Sequence, residues 1–329
     1  MNSMIVSVLS CFALALLPVA LRAAATSGDP IGYPNKPIRF ISGAAGSPPD
    51  VAARIVMERV GSSLGQPIVI DNRPGAIGTI ALHAVAKASP DGYTFGAFAL
   101  PHVLAPALLA QLPFDIRRDL APVAQMTWSS HILVVRISSR WKTVNDMVAD
   151  AKSKPGQITF ASGGNATPAH ISGEFLKQRA GIDIRHIPYK GAIAGITAVL
   201  GDHADLMFAA TAASGPHIRS GRLRALATPA PQRTEDCPEV PTMIELGFAG
   251  FEVREWNGVV APARTPREIL GRMAEEIARA SSGPEIRAKL VAHGVAPAGR
   301  SGPEEFGRLI RAELERWGAV VRAAGLRAD

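Results

Sequence analysis

Two short stretches concentrate the side chains that could meet a ligand. One reads Ser42-Gly-Ala-Ala-Gly-Ser47 and runs into Pro48-Pro49-Asp50; the other reads Ser162-Gly-Gly-Asn-Ala-Thr167 and runs into Pro168-Ala169-His170, about 120 residues later. Both combine small hydroxyls with glycines, which free the backbone to turn its N–H groups outward. In the second, Thr167 suits a helix N-cap with Pro168 as first helical residue. In the first, Ser47 has the same place and Asp50 follows at capping-box spacing. Exposed N–H groups at the positive end of a helix dipole favour an anion. The chemistry read here is therefore the holding of a small anion between two jaws, chiefly by backbone N–H groups and the Thr167 hydroxyl.

Other chemistries fit less well. Ser162 and His170 could form a nucleophile and base, but no Gly-x-Ser-x-Gly elbow surrounds the serine. Asp50 has an ordinary role as a cap that shapes its loop, and its charge disfavours a carboxylate beside it. Tyr189-Lys190-Gly191 lies at a strand end, where Lys190 could pair with an acid and Tyr189 could wall a pocket. Gly75-Ala-Ile-Gly78 lacks the first glycine of a dinucleotide fingerprint. His203 and Asp205 are too few for a metal. Trp256 and Asn257 suit either a cleft wall or the core. No catalytic residue, metal or cofactor is expected.

The elements that must position these loops follow from pattern. Ile38-Arg-Phe-Ile41 and Gln157-Ile-Thr-Phe160 read as strands leading into the loops. Helices follow, with Val51, Ile55, Val56 and Val60 on one apolar face and Ile171, Phe175 and Leu176 on the other. Further strands fall at 67–70, 93–97, 132–135, 184–187, 205–208, 223–227 and 251–260. Further helices run to about 88 and over 144–153, 192–200, 266–280, 284–293 and 303–324. Strands alternating with such helices predict α/β lobes, each a mostly parallel sheet flanked by helices. Ligands of such sheets sit at the carboxyl ends of strands, here the loops beginning at Ser42, Ser162, Tyr189 and Ala209. The last helices pack back on the first lobe, so lobe 1 is 26–125 with 256–329 and lobe 2 is 126–255.

A chain of 329 residues exceeds what one core usually spans. The apolar run Ile5–Leu21 ends in small residues and reads as a secretory signal covering 1–25, although no Lys or Arg precedes it. An uncleaved anchor is the alternative. Val8-Leu-Ser-Cys11 resembles a lipobox with too little apolar sequence before it. Cys11 leaves with the signal, so Cys237 alone remains and no internal disulfide can form. The formal charge of +7 comes largely from scattered arginines, which reads as solvated surface with no nucleic-acid partner.

The chain resembles the periplasmic solute-binding proteins of tripartite tricarboxylate transporters, the Bug receptors. The resemblance rests on nine segments in order: Tyr33-Pro-Asn-Lys-Pro-Ile-Arg39, Leu64-Gly-Gln-Pro67, Asp71-Asn-Arg-Pro-Gly75, Ala86-Lys-Ala-Ser-Pro-Asp-Gly-Tyr93, Asp119-Leu-Ala-Pro-Val123, Pro188-Tyr-Lys-Gly191, Asp205-Leu-Met-Phe208, Glu239-Val-Pro-Thr242 and Ala261-Pro-Ala-Arg-Thr-Pro266. It implies a type II Venus flytrap, a carboxylate ligand between the lobes, membrane permease subunits as partners and the periplasm as location; a monomer is expected, since a single mature cysteine gives no sign of a covalent dimer. By position it implies ligand contacts from Ser42, Gly46 and Ser47 on one jaw. On the other it implies Ser162, Asn165, Ala166, Thr167 and His170, with Tyr189 and Lys190 nearby. Two departures stand out. Family members usually carry Pro-Phe-Pro-Pro-Gly-Gly where this chain has Ser42–Ser47, so Gly43 replaces an aromatic residue and Ser47 a glycine. Ala209 stands where Asp or Asn is common. Both change the distal pocket. An enzyme using Ser162 and His170, and a sensor subunit for a membrane signalling protein, are the competing expectations.

Overall fold

Each polar loop leaves the end of a buried strand and enters a helix. The computed structural model describes residues 32–234 and 237–323; the expected signal segment and its cleavage point lie outside them. The first series is β1 (Ile38–Ser42), α1 (Pro48–Leu64), β2 (Ile68–Asn72), α2 (Thr79–Ala86), β3 (Thr94–Ala99), α3 (Leu100–Leu108), α4 (Ile116–Asp119) and β4 (Leu120–Ser129). The second is β5 (His131–Arg136), α5 (Val144–Ser153), β6 (Thr159–Ser162), α6 (Pro168–Ala180), β7 (Arg185–Pro188), α7 (Ala192–Leu200), β8 (Leu206–Ala210), α8 (Thr211–Arg219) and β9 (Leu223–Ala227). The chain returns through β10 (Glu255–Pro262), α9 (Arg267–Ser282), α10 (Pro284–Ala292), β11 (Ala296–Pro297) and α11 (Pro303–Ala323).

Two sheets result, ordered β11-β4-β10-β3-β1-β2 and β7-β6-β8-β5-β9. They are mixed rather than mostly parallel. The βαβ units pair in parallel, β1 with β2 and β3, and β6 with β7 and β8. The strands that bring the chain across run the other way: β10 is antiparallel to β3 and β4, and β5 to β8 and β9. A strand arriving from the other sheet enters without a helical crossover, so it has no need to be parallel. The two arrangements β2-β1-β3 and β7-β6-β8 match, and they place β1 and β6 alike.

The helices end as their sequences direct. Gly65 (φ 68°) and Gly181 (φ 61°) take the left-handed conformation after α1 and α6, and their N–H groups bond to Gly61 and Lys177 carbonyls. Ile171, Phe175 and Leu176 are buried as expected. On α1 the buried face is Ala52, Ala53, Val56, Met57 and Val60, with Val51 and Ile55 only half-buried. The strand pattern does not reveal α3, which holds Pro101 and Pro106, nor α8, which holds Gly215 and Pro216. Both form because tertiary burial outweighs local propensity.

The first crossing between sheets falls at Ser130, beyond the boundary expected at 125, because β4 continues to Ser129. Thr211 Oγ1 donates to the Ser130 carbonyl (2.7 Å), Thr228 Oγ1 donates to the His131 carbonyl (3.0 Å) and Ser129 Oγ donates to Glu255 (3.0 Å). Trp256 belongs to the core: its ring lies 5.8 Å from Phe98, and its N–H donates to Glu313 on α11. Glu313 also accepts the Trp317 N–H at 2.7 Å, and Trp317 meets Phe175 of α6 edge-on. One apolar cluster therefore runs through both sheets. Among the described residues, no helix is long and apolar enough to cross a membrane.

Candidate ligand-binding site

The two polar loops are one device built twice. At an offset of 120 residues, Ser47 and Thr167 cap their helices with nearly equal backbone angles, φ −68°, ψ 156° and φ −71°, ψ 158°. Each hydroxyl turns back into its loop: Ser47 Oγ donates to the Ala44 carbonyl (2.7 Å) and Thr167 Oγ1 to the Gly164 carbonyl (2.8 Å). The residue before each cap has positive φ, 75° at Gly46 and 60° at Ala166. The N–H of that residue donates to the third helical side chain, Asp50 Oδ2 at 2.9 Å or His170 Nδ1 at 3.1 Å. The capping box expected at Ser47 is thus displaced by one residue. Asp50 receives Gly46, and the Ser47 hydroxyl makes no cap bond.

The two copies differ in charge and in free donors. Pro48 and Pro49 remove the first two N–H groups of α1, whereas α6 has proline only at Pro168 and keeps those of Ala169 and His170. The His170 N–H lies 3.4 Å from Thr167 Oγ1, a weak cap. Asp50 is fully buried and also receives Arg54 Nε (2.9 Å) and Asn72 Nδ2 (2.6 Å). Burial raises its pKa, but the bonds from Arg54, Asn72 and Gly46 outweigh this and hold the carboxyl below its usual range. Asn72 donates as well to the Gly43 carbonyl (3.1 Å), so it ties β2 to the first loop. Ser42 Oγ is buried with no hydrogen-bond partner among the described residues.

The second loop is backed by histidines. Ser162 Oγ lies 2.6 Å from His186 Nε2 and accepts the Gly164 N–H at 3.1 Å. The His186 ring stacks on that of His170 at 3.9 Å and 10°. Burial lowers the pKa of His170 to about 3, helped by His186 and Lys177, and that of His186 to about 4, helped by Lys177. Both rings are neutral at physiological pH. The pairing of Ser162 with His186, and not with His170, removes the nucleophile–base pair considered from sequence. Ser162 itself is fully buried.

Tyr189 and Lys190 are brought to this loop by backbone bonds, Tyr189 N–H to the Ser162 carbonyl (3.0 Å) and Gly191 N–H to the Gly163 carbonyl (3.2 Å). The approach is close enough that a Cβ on Gly163 would lie 2.9 Å from the Ala192 nitrogen. Asn165 and Lys190 are exposed, Tyr189 is half-buried and its hydroxyl reaches the His203 carbonyl (3.5 Å). Ala209 is fully buried inside β8, opposite Ile132. Asn257 is buried and bonded to Thr127, away from any opening. Among the described residues no cluster of His, Cys, Asp and Glu could hold a metal.

Sequence reasoning passed over Arg54, Asn72 and His186. Asn72 sits in the Asp71-Asn-Arg-Pro-Gly75 segment, whose polar residue at a strand end is a signal for loop bracing. His186 follows the exposed Arg185 on β7, a short strand with no apolar alternation, so its sequence carried no signal for a buried polar partner.

Comparison with known proteins places this geometry. Residues 52–326 match the family model described as tripartite tricarboxylate transporter family receptor. The chain is 33% identical to the protein BugT of Bordetella pertussis over 306 residues, covering 92% of this chain and 93% of that one. Its fold is similar to MatC of Rhodopseudomonas palustris with bound malate (TM-score 0.74, 29% identity, 88% of this chain and 100% of that one). It is equally similar to Rpa4515 of R. palustris with adipate (TM-score 0.76, 29% identity, 90% and 99%). With a match over most of its length, the chain belongs to the tripartite tricarboxylate transporter receptor family.

Proposed function

We propose that this chain is a periplasmic receptor that closes two lobes on a small carboxylate, delivers it to the membrane subunits of a tripartite transporter and catalyses no reaction. The observation that carries the reading is the twice-built loop, in which the N–H before each helix start is tied to the third helical side chain, so that two helix starts of one backbone shape follow equivalent strand ends. Malate in MatC and adipate in Rpa4515 support a carboxylate. The two lobes are hinged where the chain changes sheets, at Ser130 and between β9 and β10, and ligand stabilises the closed form. Ser42, Gly46 and Ser47 face the ligand from one side, and Ser162, Asn165, Ala166, Thr167 and the first turn at His170 from the other. Tyr189 and Lys190 sit at the rim and Ala209 behind it. The second jaw contributes more, since Pro48 and Pro49 deprive the first of donors. The receptor works as a monomer, exported by a signal segment at 1–25.

Thermal unfolding against malate, adipate, tricarboxylates, aromatic acids and amino acids tests this. A ligand at a hundred times its Kd adds about 2.7 kcal/mol, a shift of roughly 5 °C in a protein of this size. Thr167→Val should weaken the best ligand. Unchanged affinity would remove Thr167 from the site, and ester turnover lost in Ser162→Ala would replace the receptor by a hydrolase.

A further inference from the structure

The second loop is held from behind by two imidazole rings, His170 and His186, that are engaged with the loop itself: His170 Nδ1 with the Ala166 N–H and His186 Nε2 with Ser162 Oγ. His186 stacks on the His170 ring at 3.9 Å and on Phe160 at 4.9 Å, and Phe160 and His170 are themselves 6.3 Å apart, so the three rings form one cluster. Gly173 leaves the room that Phe160 needs, since a Cβ there would lie 2.1 Å from the ring. From this cluster two bonds reach forward. His186 Nε2 meets the buried Ser162 Oγ at 2.6 Å, and that oxygen accepts the Gly164 N–H. His170 Nδ1 accepts the Ala166 N–H, so the neutral ring carries its proton on Nε2, toward Glu174 Oε1 at 3.9 Å. Ala166 is held at φ 60°, a conformation that alanine adopts at a cost. The bond to His170 offsets that cost.

We propose that His186 and His170 are positioning residues for the ligand loop. His186 acts through Ser162 on Gly164, His170 acts on Ala166, and the stack keeps the two in register. The proposal rests on reading the Ser162–Thr167 loop as the ligand cradle. It makes the neutral pair the binding-competent state, because a proton on His170 Nδ1 would set one N–H against another. Of the elements around the pair, α6 supplies Glu174 and Lys177, which pair with each other at 3.2 Å. β6, β8 and α7 carry no ionisable residue. Lys177 therefore opposes a further positive charge here, in keeping with the lowered pKa of both rings.

Amide exchange followed by NMR in the ligand-free protein tests the positioning separately from the receptor reading. His186→Phe keeps a stacking ring and removes the bond to Ser162. Protection of the Gly164 amide should fall about tenfold while Ala166 is little changed. His186→Gln keeps an amide nitrogen near Ser162 and removes the stack. Gly164 should stay protected while Ala166 loses about tenfold. In the unaltered protein, Ala166 should lose protection as pH falls toward 3, where His170 gains its proton, ahead of the rest of α6. Wild-type protection of both amides in both variants would overturn the proposal, as would losses spread evenly over the protein. Malate and adipate titrations run alongside: where either binds, both variants should bind about tenfold more weakly. If neither binds, the receptor reading needs another ligand, while the exchange data still decide the role of the stack.

Discussion

Asp50→Asn is the sharpest test of how the first loop is held. The carboxylate is fully buried and receives Gly46 N–H, Arg54 Nε and Asn72 Nδ2 at 2.9, 2.9 and 2.6 Å. An asparagine fills the same space, so no cavity term enters. Its amide nitrogen must point at either the Arg54 or the Asn72 donor, and one good bond becomes a conflict of donors. Leaving a buried donor unmatched costs about 1–3 kcal/mol. Loss of the Arg54 charge pair adds less than about 1 kcal/mol, because the Arg54 side chain is 51% exposed and screened. The expected total is about 2–3 kcal/mol, or roughly 4–6 °C in Tm.

The pH dependence of this difference has a definite sign. The folded carboxyl has its pKa below the ordinary 3.8. Its contribution is fully present above that value and is lost as pH falls through the folded pKa. Thermal unfolding of both proteins at pH 7 and again near pH 3 is the assay. The gap should be widest at pH 7 and narrow in acid. A gap below about 1 °C at neutral pH, or one that does not narrow, would refute the account of Asp50 as a charged brace.

Other outcomes follow from the same geometry. Gly163→Ala would press a Cβ to within 2.9 Å of the Ala192 backbone; ligand affinity should fall more than Tm, as read by titration and melting together. Gly173→Ala would drive a Cβ into the Phe160 ring and should destabilise by about 1–3 kcal/mol, measured in urea. Ala166→Gly should relieve the positive φ and raise stability by up to about 1 kcal/mol while loosening the loop; lower stability would show that the Ala166 methyl matters more than its backbone. For the histidine pair, folded pKa values of about 3 and 4 lie below the ordinary 6.5. The unfolded chain then binds more protons, so stability is fully present above 6.5 and declines as pH falls toward 4. A variant with both His170 and His186 changed to Gln should show a flatter melting profile over that range.

Much of this protein is local in origin. Proline at the first helical position and glycine after the last set α1 and α6, glycine after the last marks the end of α7, and the Thr143–Asp146 capping box starts α5; all are short-range signals. The recurrence of serine, glycine, hydroxyl, proline and a third polar residue at one offset marked both loops, because helix starts favour those residue types at that spacing. The tertiary structure alone decided the rest. The direction of β5 and β10 depends on which sheet a strand arrives from, and no local pattern encodes that. α3 and α8 contain prolines; α3 forms because its apolar residues find a core, and α8 is tied down by its buried Thr211, which bonds to the Ser130 carbonyl. The partner of Ser162 is His186 across a parallel pair of strands, and the brace of Asp50 is Asn72 on β2. Both contacts span more than twenty residues. Which polar groups meet at that separation is set by sheet register, and register exists only once the whole sheet has formed.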